Sequence, residues 1–251
     1  MTEVSIIIPT LNEAQCLAQT LRCLSILEPP AKEIIVVDGG SCDRTLPLLQ
    51  ETTSTFTQLC DTTVIHSPEA RRSSQMNLGV QQASGKLLCF LHADTLVPPD
   101  LVTVITTTLA DKKTACGGFL SLMTGETTRW GTSLHNSLKT YYAPLLFRPR
   151  QFFQKGLRLL FGDQVMFCRR QDFLDCGGFD NTLSLMEEAD LCIKLSQKGR
   201  IRQINRIVQS SDRRVAKWGA LKANFIYLSI GFLWGLGTSD AQLKRFYENV
   251  R

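Results

Sequence analysis

Short β-branched runs alternate with helical stretches along the first ninety residues, and this alternation restricts the fold more than any other feature of the chain. Val4 to Ile8, Glu33 to Val37, Val64 to His66 and Lys86 to Leu91 read as strands. Between them, Leu17, Leu21 and Leu24 share one helical face that ends at Pro29-Pro30, and Thr45 to Glu51 and Ala70 to Ala83 read as helices. Strand, helix and strand in succession require crossover connections, which build a parallel sheet covered by helices. The expected class is therefore α/β, with a mostly parallel, Rossmann-like central sheet. In open sheets of this kind ligands bind beyond the carboxyl ends of the strands.

The rhythm changes after Asp100. Leu101 to Leu109 predicts a helix and Cys116 to Met123 a strand, followed by an aromatic and basic stretch from Trp130 to Gly162 that reads as a lid or acceptor-side insertion. Gln164 to Cys168 predicts a strand, Met186 to Gln197 a helix and Ile201 to Val208 an edge strand. Near the start, Thr10 and Glu13 have the spacing of a capping box. The main domain is expected over residues 1–215, with a helical extension over 216–251 packed on it or on a membrane surface. The uncharged stretch that follows Lys222 lies at or below the length needed to span a bilayer, so an interfacial or core-packed helix is expected there.

With 251 residues, 43% of them hydrophobic, the chain can bury a substantial core. A net charge of +5 suits anionic small molecules or an anionic membrane surface, and no basic run is dense enough to indicate nucleic acid. Nine scattered cysteines form no CxxC pair, as expected of small buried side chains in a reducing compartment. The opening MTEVSIIIPT reads as a strand and not as a signal peptide, so a cytoplasmic location is expected.

Three acidic blocks stand where carboxylates can enter a cleft: VVDGGSCD, LHADT and MEEADL. Asp38 ends a strand before glycines and can accept hydrogen bonds from a base or a ribose, or it can simply shape a tight turn. His92 and Asp94, two residues apart after an apolar strand, could present ligands for Mg2+ or Mn2+ on one side; alternatively Asp94 caps a helix. Glu187, Glu188 and Asp190 fall in the first turn of a helix, where the dipole favours them and where crowding can raise a pKa toward that of a general base. Arg71 with Arg72, and Arg213 with Arg214, could bind phosphate or remain solvated. His66 and His135 have no partner in the sequence pattern.

The order of these blocks resembles glycosyltransferase family 2 over nearly the whole chain. VSIIIPTLNE, IIVVDGGSCDRT, ARRSSQMNLGVQQASGK, FLHADT and GGFDNTLSLMEEADLCIKL carry the resemblance. It implies a glycosyltransferase A-type fold and an inverting, metal-assisted transfer of a sugar from a nucleotide-diphosphate donor to an acceptor hydroxyl. Glu188 is then the base, with Glu187 and Asp190 beside it, and Asp94 holds Mn2+ or Mg2+ with His92 in the place of the first Asp of a DxD motif. Donor binding falls to Pro9, Asn12, Glu13, Asp38, Arg71, Arg72, Asn77, Ala93, Arg213 and Arg214. LHADT, FGDQVMF and SDRRVAKWG are also similar to a bacterial subgroup of radical-SAM/selenodomain-associated transferases. The alternatives are a sugar nucleotidyltransferase and a nucleotide-binding or membrane-associated scaffold without turnover. The acceptor is open, a lipid-linked one being suggested by the aromatic insertion and apolar tail, with peripheral contact at the inner face of the cell membrane as its corollary.

Overall fold

The first strand shows why the chain folds as a layered sandwich: all seven residues of β1 (Val4–Thr10) are buried. Val4, Ile6 and Ile8 enter one core while Ile7 enters another, and in β2 (Glu33–Asp38) Ile34 and Val36 part from Ile35 in the same way. The two-residue period thus feeds two cores, one on each face of the sheet. Each fully buried aliphatic side chain contributes roughly 1.5–3 kcal/mol. The computed structural model of the chain describes residues 3–56 and 60–250, excluding the side chains of residues 52–56 and 248–250.

The first half is strictly alternating. After β1 come α1 (Leu17–Ser25), β2, α2 (Thr45–Phe56), β3 (Asp61–His66), α3 (Arg72–Gln82) and β4 (Leu87–Phe90). Next come β5 (Thr95–Leu96), α4 (Leu101–Ala110) and β6 (Thr114–Thr124), and then a helical insertion of α5 (Trp130–Phe147) and α6 (Pro149–Lys155). The chain returns through β7 (Met166–Arg169), α7 (Arg170–Asp175), α8 (Glu187–Leu195) and β8 (Arg200–Ser211), and closes with α9 (Arg213–Trp218), α10 (Ala220–Gly235) and α11 (Asp240–Val250).

The strands form one eight-stranded sheet in the order β3-β2-β1-β4-β7-β6-β8-β5. The strands β1 to β4, β6 and β8 all point one way, and only β7 and β5 are reversed. On one face α1 and α4 supply Leu17, Leu21, Leu24 and Ile105 to the core; on the other, α3 and α8 supply Met76, Val80, Leu191 and Leu195.

Three sequence expectations are corrected. The strand at Ile201 to Val208 is not at the edge, because the two-residue β5 pairs outside it, Thr95 opposite Ser210. Thr10 does not cap a helix; it belongs to β1, its hydroxyl donates to Val37 O at 3.3 Å, and α1 starts only at Leu17, without a side-chain cap. The strand expected from Gln164 begins at Met166, after a short 3-10 turn at Gly162–Gln164.

Helix α3 packs directly on the sheet at residue 79, where it has no side chain. A Cβ on Gly79 would sit 2.5 Å from Ile7 Cγ2 and 3.2 Å from Val37 Cγ2. Overpacking of this kind costs about 1–3 kcal/mol and outweighs the few tenths gained in helix propensity. Gly79→Val is therefore expected to lower the urea midpoint by the equivalent of at least about 1 kcal/mol. An unchanged midpoint would show that the helix can lift off the sheet without penalty.

Candidate active site

A cavity of ≈620 Å3 opens beyond the carboxyl ends of β1, β4, β6 and β8. The β1–α1 loop contributes Asn12 and Glu13 to its wall, and the loop after β4 contributes His92 and Asp94. Arg72 comes from α3, Glu187 and Glu188 from α8, and Arg213 and Arg214 from α9. The insertion adds Asn136 and Lys139, and α10 adds Tyr227.

The acidic side is built on α8. Met186 adopts a left-handed backbone (φ 67°) that turns the chain sharply into the helix, leaving Glu187 and Glu188 in its first turn. Both carboxylates are buried, at 4% and 6% exposure. Arg72 Nη1 lies 3.4 Å from Glu187 Oε1 and 3.8 Å from Glu188 Oε1. His92 Nε2 stands 3.7 Å from Glu188 Oε1, beyond hydrogen-bond range, and neither atom has a hydrogen-bond partner among the described residues. Gly162 makes this approach possible: a Cβ there would fall 2.3 Å from His92 Nε2 and 2.5 Å from Glu188 Oε1.

The two carboxylates divide the protonation states between them. Burial, reinforced by the charge of Glu188, pushes Glu187 up to about 7, with Arg72 opposing. Burial also presses Glu188 upward, but His92 and Arg72 outweigh it and hold this carboxyl below its usual range. Near neutral pH the pair therefore carries its charge chiefly on Glu188. Lys139, half-buried with its Nζ 3.6 Å from the Phe161 ring centre, is brought down to about 8 by burial, against the attraction of Asp163 and Glu188.

The opposite wall centres on Arg213. Its Nη2 donates to Glu13 Oε2 at 2.7 Å and to Asp94 Oδ2 at 3.0 Å. Burial disfavours its charge, and these two carboxylates more than compensate, raising its pKa above the ordinary guanidinium value. Two oxygen donors thus converge on one cationic group, a donor set of the hard type that suits Mg2+ or Mn2+. His92 is not part of it. The two-residue period ends with β4 at Phe90, so residues 92 and 94 lie in a turn and meet different partners, Glu188 and Arg213. Among the described residues no group of three or more His, Cys, Asp or Glu side chains is arranged around one point.

Several expected residues lie outside this cavity. Asp38 is fully buried and turned into its own loop, accepting from Gly40 N at 2.9 Å, Ser41 N at 3.0 Å and the Ser41 hydroxyl at 2.5 Å, with His66 Nδ1 3.7 Å away. Asp190, which the sequence placed beside the base, pairs with Lys194 at 2.8 Å. Two residues of helix rotate a side chain by roughly 200°, which carries Asp190 away from Glu188. Asn77 fastens α3 to the loop at Phe179 and Asn181, Arg71 also donates to Asn181 O, and Arg71 lines a neighbouring hollow of ≈610 Å3. Pro9 is held in the sheet opposite Val37, and Ala93 is buried with its carbonyl accepting from Thr20. The sequence reading did not single out Lys139, Asp163 or Gly162 as site residues; the last two stand in the FGDQ run, which is the only signal that could have found them.

Two measurements test these electrostatics. Because the folded pKa of Glu187 is raised, its contribution to stability is complete below pH 4.5 and is lost as pH climbs to about 7. Glu187→Gln is therefore expected to gain melting temperature relative to the parent chain across that window and to run parallel to it below; a pH-independent difference would refute the shift. Arg213→Ala exposes Glu13 and Asp94 to other cations, so calorimetric titration with Mn2+ alone should show binding a few-fold tighter, the order of one partly exposed ion pair. Weaker binding would mean that the two carboxylates do not form a cation site.

The surrounding fold is shared with known proteins. A pre-mycofactocin glycosyltransferase of Mycobacterium tuberculosis is 26% identical over 231 residues, which cover 88% of this chain and 45% of that protein. The mannosyltransferase PcManGT from Pyrobaculum calidifontis, solved with GDP-Man and Mn2+, superposes with a TM-score of 0.70 at 18% identity, over 95% of this chain and 65% of that one. Glucosyl-3-phosphoglycerate synthase from Mycobacterium tuberculosis, solved with Mn2+, UDP and glucosyl-3-phosphoglycerate, superposes at 0.64 with 17% identity, over 95% and 81%. The structural likenesses establish the glycosyltransferase A-type fold, and the chain spans less than half the length of the sequence relatives it matches. The family model for glycosyl transferase family 2 matches residues 5–178, well over half of the sequence, and the chain belongs to that family.

Proposed function

We propose that the protein is an inverting glycosyltransferase that moves a sugar from a nucleotide-diphosphate donor to an acceptor hydroxyl. The observation that carries this reading is Glu188 Oε1, a buried carboxylate oxygen without a hydrogen-bond partner, in the wall of the cavity that also contains Asp94. A buried, unsatisfied acceptor is costly unless a ligand completes it. An acceptor hydroxyl supplies the missing donor.

Glu188 accepts the proton of that hydroxyl as its oxygen attacks the anomeric carbon. The bond from this carbon to the diphosphate oxygen breaks on the opposite side, and its electron pair leaves with the diphosphate. Arg213 and Arg214 face the same cavity and are suited to receive the phosphate charge through paired N–H donors. Asn12 shapes the donor wall: its Oδ1 accepts from Cys42 N at 2.8 Å and its own N–H donates to the Ser41 hydroxyl at 2.9 Å. Through these bonds the buried Asp38 turn positions the wall without touching the cavity. Arg72 and His92 keep Glu188 ionised. Asp94, with Glu13 beside it, is the residue to hold Mn2+ or Mg2+, which when bound supplies further positive charge to the leaving diphosphate. GDP-Man in PcManGT and UDP in the phosphoglycerate synthase support a nucleotide-sugar donor. The similarity of LHADT and FGDQVMF to the radical-SAM/selenodomain-associated transferases supports membership of that subgroup as part of the same proposal, with His92 then a normal variation.

A thermal-shift panel of nucleotide sugars, with and without Mn2+, tests the reading, since a ligand that binds only the folded chain raises its melting temperature. At least one donor is expected to stabilise the chain, and Glu188→Gln is expected to keep that stabilisation while losing about 10²- to 10⁴-fold in sugar transfer. Turnover that survives both Glu188→Gln and Asp94→Ala overturns the mechanism. Pyrophosphate release from a nucleoside triphosphate replaces it with nucleotidyl transfer.

A further inference from the structure

Helices α5 and α10 present an apolar surface that the fold does not cover. Along α10 and its C-cap, Leu221, Phe225, Leu228, Phe232 and Leu236 are 49% to 90% exposed and recur every three or four residues, so they form one stripe. Along α5, Trp130, Leu134, Leu138, Tyr141 and Leu145 form a second stripe with the same period. The two helices are packed together: His135 Nδ1 meets Asn224 Oδ1 at 3.1 Å, and the rings of Phe147 and Phe232 lie 5.8 Å apart. A Cβ on Gly235 would touch the Phe147 ring at 2.5 Å, which fixes how closely they approach.

The inward side of α10 is apolar too, with Ala223, Ile226 and Ile230 buried. A helix on the surface of a soluble domain needs only one apolar face. Having two implies a second apolar phase against the outer one. With 16 residues, α10 is roughly 24 Å long, short of a bilayer core of about 30 Å. Among the described residues no helix is long and apolar enough to cross a membrane.

Charge identifies the occupant. No Asp or Glu occurs from residue 127 to 162 or from 213 to 239, the segments that contain both helices. Exposed cations stand near both ends of the pair, among them Lys222 near the start of α10 and Arg148 and Arg150 where α5 gives way to α6. A second copy of this chain would bring like charges together across the contact, which disfavours self-association. Apolar side chains framed by cations match a lipid surface with anionic headgroups.

We propose that the α5–α10 face lies on an anionic phospholipid bilayer, with the apolar stripes at the level of the acyl boundary and Lys222, Arg148 and Arg150 among the headgroups. This assignment does not depend on the transferase reading, because it needs neither donor nor acceptor. Flotation of the full chain with phosphatidylcholine vesicles, with and without phosphatidylglycerol, tests it. Binding is expected to require phosphatidylglycerol and to weaken with salt, Phe225→Glu to reduce it more than about tenfold, and Lys222→Ala roughly fivefold. Leu221→Glu, at a position 90% exposed, provides a second variant that leaves the packing intact, with circular dichroism melting as the check on folding. Failure to bind phosphatidylglycerol vesicles overturns the proposal, as does binding that Phe225→Glu and Leu221→Glu leave unchanged. Self-association in light scattering that the same substitutions abolish reassigns the face to contact between copies.

Discussion

Two adjacent carboxylates buried beside one guanidinium are the constraint around which the site is arranged. Glu187 and Glu188 cannot both ionise cheaply in a poorly solvated wall, and Arg72 compensates only part of the repulsion. The sheet topology brings the required partners together. Because β7 runs antiparallel to β4, with Phe90 opposite Met166, the residues that precede β7 lie beside those that follow β4. Gly162 thus comes against His92, and the lack of a side chain there lets His92 reach toward Glu188. An all-parallel insertion at this place would put the start of that strand at the far end of the sheet. The reversal of β7 is therefore what brings these site residues together.

The short β5 does the same for the opposite wall. Its pairing of Thr95 with Ser210, together with the bond from Ser211 N to Asp94 O at 3.2 Å, fixes the Asp94 loop to the end of β8. Arg213 follows two residues later and meets Asp94 and Glu13 from the other side. Two charge clusters result, one acidic with a single guanidinium and one in which a guanidinium bridges two acids. In the first the balance leaves a negative charge next to an unsatisfied oxygen; in the second both acids are held by one guanidinium, with Arg214 beside it in the cavity wall. A group transfer with a base on one side and a charged leaving group on the other needs that separation.

The elements legible in the sequence are those governed by a simple period. Ile6, Ile7 and Ile8 alternate between two cores, and Leu17, Leu21 and Leu24 share one, so strands and helices could be read directly. Glu187 and Glu188 stood out because acids in a first helical turn occupy a known position. The failures occurred where a period was carried past its element. His92 and Asp94 were put on one side by strand spacing, but β4 had ended at Phe90; Asp190 was grouped with Glu188, although helical rotation separates them. Asp38 was legible as a carboxylate at a strand end, but the nearness of Ser41 and Gly40, which turns it inward, is a matter of turn geometry. Gly162 carries no chemistry of its own and becomes visible only when its neighbours across the sheet are known.

The insertion and the tail obey a different logic. From their composition alone, the one aromatic and basic and the other apolar, they could be read as a lid or a surface segment, but not as one continuous face. Only the packing of α5 on α10 turns two half-amphipathic stretches into a surface, and the same pairing brings Lys139 and Tyr227 into the cavity wall. Exposed apolar side chains and buried carboxylates are both departures from what best stabilises a soluble domain, and such departures concentrate where a protein does its work. Here they lie on opposite sides of the same two helices, Asn136 and Lys139 facing the acids while Leu134 and Leu138 face outward. One helix, α5, thus carries both a part of the cavity wall and a part of the apolar face.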